Sequence, residues 1–137
     1  MISIPLIETD TIFAFINKKD EYHTNAFNLI NKINNGFFQA DFSSISLIEL
    51  NFIYKKFHLE NEFKIDLGNL QGIKNIKWAP LNIRNFLTAL IINKTYNIPF
   101  YNSLHAGIAI NLDRVIITQN TDFDIIAGLS RMPLSDF

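Results

Sequence analysis

Apolar residues recur along the chain in two periods, short dense runs that predict buried strands and stripes at three- and four-residue steps that predict helices. Residues 3–7 form an Ile-rich run and predict a buried strand, with Pro5 suggesting a sheet edge or a bulge. Residues 11–17 carry Ile12, Phe13, Phe15 and Ile16, a short helix directly after that strand. Across residues 22–34, Phe27, Ile30 and Ile33 recur at steps of three with Ala26 and Leu29 beside them, and Asn35-Gly36 ends this amphipathic helix. Residues 37–42 predict the next strand. Ser43 and Ser44 then offer capping hydroxyls to a helix reaching Phe57, with Ile45, Ile48, Phe52 and Ile53 inward. Residues 60–71 read as a helix closed by Gly72, and residues 76–78 as a short strand. Residues 82–97 are helical, with Ile83, Phe86, Leu87, Leu90 and Ile91 on one side. A small-residue helix over 103–112, a compact strand over 115–118 and a short helix over 122–127 complete the pattern.

Strands alternating with helices imply an α/β fold, a parallel sheet of four or five strands with helices on both faces. In such sheets ligands sit at the carboxyl ends of the strands, so polar residues just after a strand are the candidates for chemistry. The composition narrows the classes. A length of 137 residues fits one domain, 1–137, and 48% hydrophobic residues exclude disorder. A net charge of −1 argues against a broad polybasic surface, though not against a local basic stripe. With no Cys there are no disulfides, thiolate zinc sites or Cys nucleophiles. No apolar run approaches the ~20 residues of a membrane span, and the Met1-Ile2-Ser3-Ile4-Pro5 start lacks a signal-peptide pattern. A soluble, cytoplasmic protein is the expectation.

Acids occupy the selected positions. Glu8 and Asp10 follow the first strand and face the same way if the strand persists through them. Asn120, Asp122 and Asp124 follow the strand at 115–118, and Glu49 lies within an apolar helix. Carboxylates converging at strand ends suit Mg²⁺ or Mn²⁺, which take oxygen ligands. The bland alternative is a set of solvated loop acids. His105 reads either as a satisfied buried histidine or as a metal ligand. Ser43, Ser44 and Ser46 lack a nucleophile elbow and read as capping residues. Tyr54-Lys55-Lys56-Phe57 is either a nucleic-acid contact or an ordinary helix end with Phe57 turned inward. Apolar excess on the early helices offers a dimer face.

Four segments together resemble the PIN-domain family. Ile7-Glu8-Thr9-Asp10-Thr11-Ile12-Phe13 resembles the family's opening acid–Thr–Asn/Asp triplet and its following helix. Ser44-Ile45-Ser46-Leu47-Ile48-Glu49-Leu50 resembles the helix bearing the second acid. Tyr101-Asn102-Ser103-Leu104-His105-Ala106 is similar to the family's Asp-Ser/Ala-Leu-His-Ala stretch, and Thr118-Gln119-Asn120-Thr121-Asp122-Phe123 to its Thr-x-Asp-x-Asp-Phe stretch. The resemblance implies a three-layer α/β/α sandwich and a metal-dependent endoribonuclease like the VapC toxins, restrained by a small antitoxin and pairing as a homodimer. By position it implies Glu8, Asp10, Glu49 and Asp122 as catalytic residues, and these with Asn102 and Asn120 as holders of Mg²⁺ or Mn²⁺. Thr118, Lys55 and Lys56 are then candidates for substrate binding. Asn102 and Asn120 stand where the family carries acids and bring a carbonyl oxygen without charge. A degenerate, non-catalytic PIN domain binding protein or RNA is therefore the competing expectation. A phospho-receiver domain fails for want of its phospho-accepting Asp and its Lys.

Overall fold

A computed structural model describes residues 3–137 of the chain; Met1 and Ile2, part of the start considered above, lie outside the described residues. The elements run β1 (Leu6–Ile7), α1 (Thr9–Ile16), α2 (His23–Asn34), β2 (Ala40–Ser43), α3 (Ile45–Lys56), α4 (Glu60–Gln71), β3 (Ile76–Ala79), α5 (Ile83–Tyr96), α6 (Phe100–Ile110), β4 (Val115–Ile117) and β5 (Ser130–Met132). Single 3-10 turns occupy Thr121–Ile125 and Leu134–Asp136. The strands form one sheet in the order β3-β2-β1-β4-β5, and every pairing is parallel. No helix among the described residues is long and apolar enough to cross a membrane.

Successive strand residues point to opposite faces, and the two central strands use this to serve two cores. Leu6 and Ile116 pack with Ala89, Ile92, Leu104 and Ile108 on the α5–α6 side. Their neighbours Ile7 and Ile117 pack with Ile12, Leu29, Ile33, Phe42 and Leu50 on the α1–α2–α3 side. All four residues are fully buried. Each contributes about 1.5–3 kcal/mol by burial, more than the ~0.5–1.5 kcal/mol of a ladder hydrogen bond. Side-chain packing, not strand length, therefore fixes the centre of the sheet.

Several expectations need correction. Pro5 does not mark an edge, since β1 is the central strand; Pro5 precedes it and only its carbonyl is used, accepting from the Asp41 N–H at 3.0 Å. β1 ends at Ile7 and α1 begins at Thr9, so Glu8 and Asp10 do not share an extended face. In α2 the buried stripe is Ala26, Leu29, Ile30 and Ile33, and Phe27 is exposed. In α3, Ile48 and Phe52 point outward while Ser46, Leu50 and Tyr54 are buried. Ser44 stands at the N-cap without a capping bond from its side chain. β5 lies between Gly128 and Pro133 as the edge strand Ser130-Arg131-Met132, whose polar composition carries no strand signal.

The apolar side of α5 expected to face inward is also turned outward. Ile83, Leu87, Leu90 and Ile91 face solvent, whereas Asn85, Ala89 and Ile92 face α6. Small residues are required there because α6 comes very close. A Cβ placed on Gly107 would lie 2.6 Å from the Asn85 carbonyl oxygen and 2.9 Å from the Ala89 nitrogen. Both are backbone atoms that cannot swing aside. Gly107→Ala is accordingly expected to cost roughly 1–3 kcal/mol, read as a fall in the urea midpoint; an unchanged midpoint would contradict the close α5–α6 contact.

Candidate functional site

The sheet order reverses direction between β1 and β4, the switch point at which the carboxyl ends of parallel strands leave a crevice. Glu8 follows β1 there, and its N–H continues the ladder by donating to the Ile117 carbonyl at 3.2 Å. Thr118 follows β4 beside it. The chain then turns into α1, which carries Asp10 into the first helical turn. Two different backbone conformations thus bring Glu8 and Asp10 together, and Thr118 joins them. Its Oγ1 lies 3.0 Å from Glu8 Oε2 and 2.9 Å from Asp10 Oδ2, and the Gln119 N–H donates to the same Asp10 oxygen at 2.9 Å. A hydroxyl has one hydrogen, so Thr118 serves one carboxylate at a time.

Glu49 arrives from α3 and meets Glu8 through His105 of α6. His105 is fully buried. Its Nδ1 bonds Ser43 Oγ at 2.7 Å, which aims Nε2 at Glu49 Oε1 and at Glu8 Oε1, the latter 3.4 Å away. Thr9 Oγ1 donates to Glu49 Oε1 at 2.6 Å and bonds Ser46 Oγ at 2.7 Å. The serines read as capping residues at 43 and 46 are instead spent on this network. Thr118, a candidate for substrate binding by the resemblance, bonds the Glu8 and Asp10 carboxylates.

The two amide positions form the outer rim. Asn102 Nδ2 donates to Asp122 Oδ2 at 3.2 Å, and Asn120 Oδ1 accepts the Asp122 N–H at 2.9 Å. The Asn120 N–H donates to Thr118 Oγ1 at 3.0 Å and ties the rim to Glu8 and Asp10. Arg131 on β5 braces the same loop, with Nε and Nη2 on the two Asp124 oxygens at 2.7 and 3.1 Å and Nη1 on the Thr118 carbonyl at 3.3 Å. That guanidinium holds the Asp124 carboxyl below its usual range. Lys55 and Lys56 are exposed about two turns beyond Glu49 along α3, and Phe57 beside them is exposed, not inward.

Burial makes the acids unequal. Desolvation pushes the Glu8 carboxyl up to about 7, against the pull of His105 and with the help of the Asp10 and Glu49 charges. Burial also acts to raise Glu49, but the bond and charge of His105 and the Thr9 hydroxyl outweigh it and hold Glu49 below the ordinary value. Glu49 is thus the better anion. Donor type supports a divalent cation here, since carboxylate oxygens converge with their outer atoms already held. The sequence reading weighed His105 as core or ligand but missed Thr9, Ser43 and Ser46 as partners of the site.

No family model matches the chain, and no curated protein matches its sequence. Solved structures do share its fold. VapBC2 from Rickettsia felis, bound to a DNA fragment from its promoter, aligns with a TM-score of 0.77 at 18% identity, over 95% of this chain and 98% of that one. DNA-bound VapBC from Salmonella typhimurium aligns at 0.70 with 21% identity over 96% and 98%. FitAcB from Neisseria gonorrhoeae aligns at 0.70 with 13% identity over 98% and 100%. At such identities the likeness is one of fold, and that fold is the PIN-like α/β/α sandwich expected from the sequence landmarks.

The raised Glu8 value carries a sign. Because the folded-state value of about 7 exceeds the ordinary 4.5, the folded chain binds the extra proton, and stability of the metal-free protein falls as pH rises between these values. Glu8→Gln is therefore expected to stabilise the metal-free protein at pH 8 by roughly 1–3 kcal/mol, with the gain gone near pH 4. Thermal unfolding at the two pH values checks this; a lower Tm at pH 8 would contradict it.

Proposed function

We propose that the chain, 1–137 acting as one domain, is a metal-dependent endoribonuclease of the VapC toxin kind that hydrolyses RNA phosphodiesters in the cytoplasm with Mg²⁺ or Mn²⁺. The observation that carries this reading is the convergence of Glu8 and Asp10, from the β1–α1 junction, and Glu49, from α3, on one imidazole nitrogen and one threonine hydroxyl at the switch point. Glu8, Asp10, Glu49 and Asp122 would hold the ion, with the Asn102 and Asn120 carbonyl oxygens at its rim. A bound divalent cation supplies an acidified water and neutralises charge on the phosphate.

The chain's own residues prepare for that ion. Glu49 stays ionised while His105 and Thr9 orient it. Thr118 holds the adjacent faces of Glu8 and Asp10 and so acts on the RNA through these carboxylates. Lys55 and Lys56 would meet the RNA backbone further along α3. The two amides lower the negative charge facing the ion, which supports weak Mg²⁺ binding and better performance with Mn²⁺.

Partners follow the same reading. A solved structure of the same fold from Klebsiella pneumoniae is a toxin–antitoxin complex, and an antitoxin is proposed for this chain. An apolar groove of about 550 Å³ lined by Phe13, Ile16, Ile53, Phe57 and Leu59 offers it a seat. A homodimer is proposed, and beside the early helices α5 offers it a face, where Ile83 and Ile91 are 74% and 68% exposed. Leu87→Asp with Ile91→Asp should then halve the mass measured by sedimentation, and an unchanged mass would refute this face.

Activity provides the direct test of the enzyme reading. Glu49→Gln and Asp10→Asn should each lower Mn²⁺-supported RNA cleavage by 100-fold or more, on the order expected for loss of a metal-holding carboxylate. Asn102→Asp should raise Mg²⁺ affinity in calorimetry, because it restores charge beside Asp122. Cleavage unaffected by the first two variants would overturn the site. No cleavage and no metal binding in parent or Asn102→Asp would favour the non-catalytic PIN reading.

A further inference from the structure

One buried nitrogen in this cluster is asked to do more than a proton allows. His105 Nε2 carries at most one hydrogen, yet it meets Glu49 Oε1, Glu8 Oε1 at 3.4 Å and Thr9 Oγ1 at 3.3 Å. A cation in place of that hydrogen would serve both carboxylates at once. We propose that His105 Nε2 is itself a metal ligand, so that Glu8, Glu49 and His105 take a borderline first-row ion through one nitrogen and two carboxylate oxygens. The inference rests on the reading that this cluster holds a metal, and it specifies how.

The donors are grouped for one ion. One donor atom from each of the three residues can be chosen such that all lie within 4.8 Å of one another. Bonds of about 2.0–2.2 Å place neighbouring donors roughly 3–3.5 Å apart; Nε2 and Glu8 already stand at that separation, whereas Nε2 and Glu49 Oε1 stand closer and part to admit the ion. The other ring nitrogen is committed, since Nδ1 lies 2.7 Å from Ser43 Oγ, itself fully buried at the end of β2. A ligating histidine is generally oriented in this way, by a bond from the nitrogen that does not touch the metal. In the bound state the ring is neutral, its one hydrogen on Nδ1 donated to Ser43 Oγ and its Nε2 lone pair on the ion; any hydrogen held on Nε2 passes to solvent, and the charges of two carboxylates balance a divalent ion. A nitrogen ligand favours Mn²⁺, Co²⁺ and Zn²⁺ over Mg²⁺, which prefers oxygen. The same ligand compensates for the neutral amides at 102 and 120.

The test uses the intact, metal-free protein and the ions alone. Co²⁺ added to the parent should produce a hyperfine-shifted, solvent-exchangeable proton resonance, the Nδ1–H of His105 shielded by Ser43. His105→Gln should abolish it. Ser43→Ala should weaken Mn²⁺ binding about tenfold, and the parent should bind Mn²⁺ at least tenfold more tightly than Mg²⁺. The parent spectrum decides the matter even where a buried His105 variant fails to fold. Co²⁺ binding without the shifted proton, or equal affinities for Mn²⁺ and Mg²⁺, would overturn His105 as a ligand and leave an all-oxygen metal site standing. Failure of Co²⁺, Mn²⁺ and Mg²⁺ to bind at all would overturn the inference and the metal-dependent reading together.

Discussion

A carboxyl group taken out of water must be answered by donors, and Glu8 is the group on which the rest of this site depends. It lies at the switch point of the sheet, almost fully buried, where desolvation opposes its charge. Among the described residues two donors reach it, the Thr118 hydroxyl from the end of β4 and the His105 ring from α6. Each of these is shared with a second acid. Thr118 also holds Asp10, and His105 also holds Glu49. The acids that the strands and helices place around Glu8 thus share a small set of donors. This sharing leaves a cluster with more negative charge than neighbouring protons can satisfy, the electrostatic condition under which a cation is welcome.

The scaffold makes this arrangement rigid by packing. β1 and β4 are short, but Leu6, Ile7, Ile116 and Ile117 anchor them in both cores, so the backbone that presents Glu8 and Thr118 has little freedom. Around that centre the acids are graded from the buried Glu8, through half-buried Glu49 and Asp10, to the exposed Asp122. The amides at 102 and 120 are half-buried beside Asp122 and hold it in place, one through its side chain and one through its N–H.

Much of this was legible in the sequence for a physical reason: strand-end acids and buried apolar runs are local signals. Glu8 and Asp10 were read as strand-end acids, Glu49 as a carboxylate within an apolar helix, and the apolar runs predicted the strand–helix alternation. What was not legible depends on tertiary partners. Whether Ser43 and Ser46 cap a helix or bind His105 and Thr9 is decided by α6 and α1, not by neighbours in sequence. The inward face of α5 is set by how closely Gly107 lets α6 approach, so its most apolar side ended outward. β5 escaped because an edge strand needs little hydrophobicity, and Pro5 misled because it lies just before the strand it seemed to disturb.

Glu8 and Glu49, far apart in sequence, are held to share one cation. Crystals grown with Mn²⁺ and measured at its absorption edge test that claim most directly. One anomalous peak within bonding distance of both the Glu8 and Glu49 carboxylates, with His105 still bonded to Ser43, is the predicted result. A map with no peak there, or with Mn²⁺ held instead by acids such as Asp41 and Asp113 at the far end of the sheet, would contradict it.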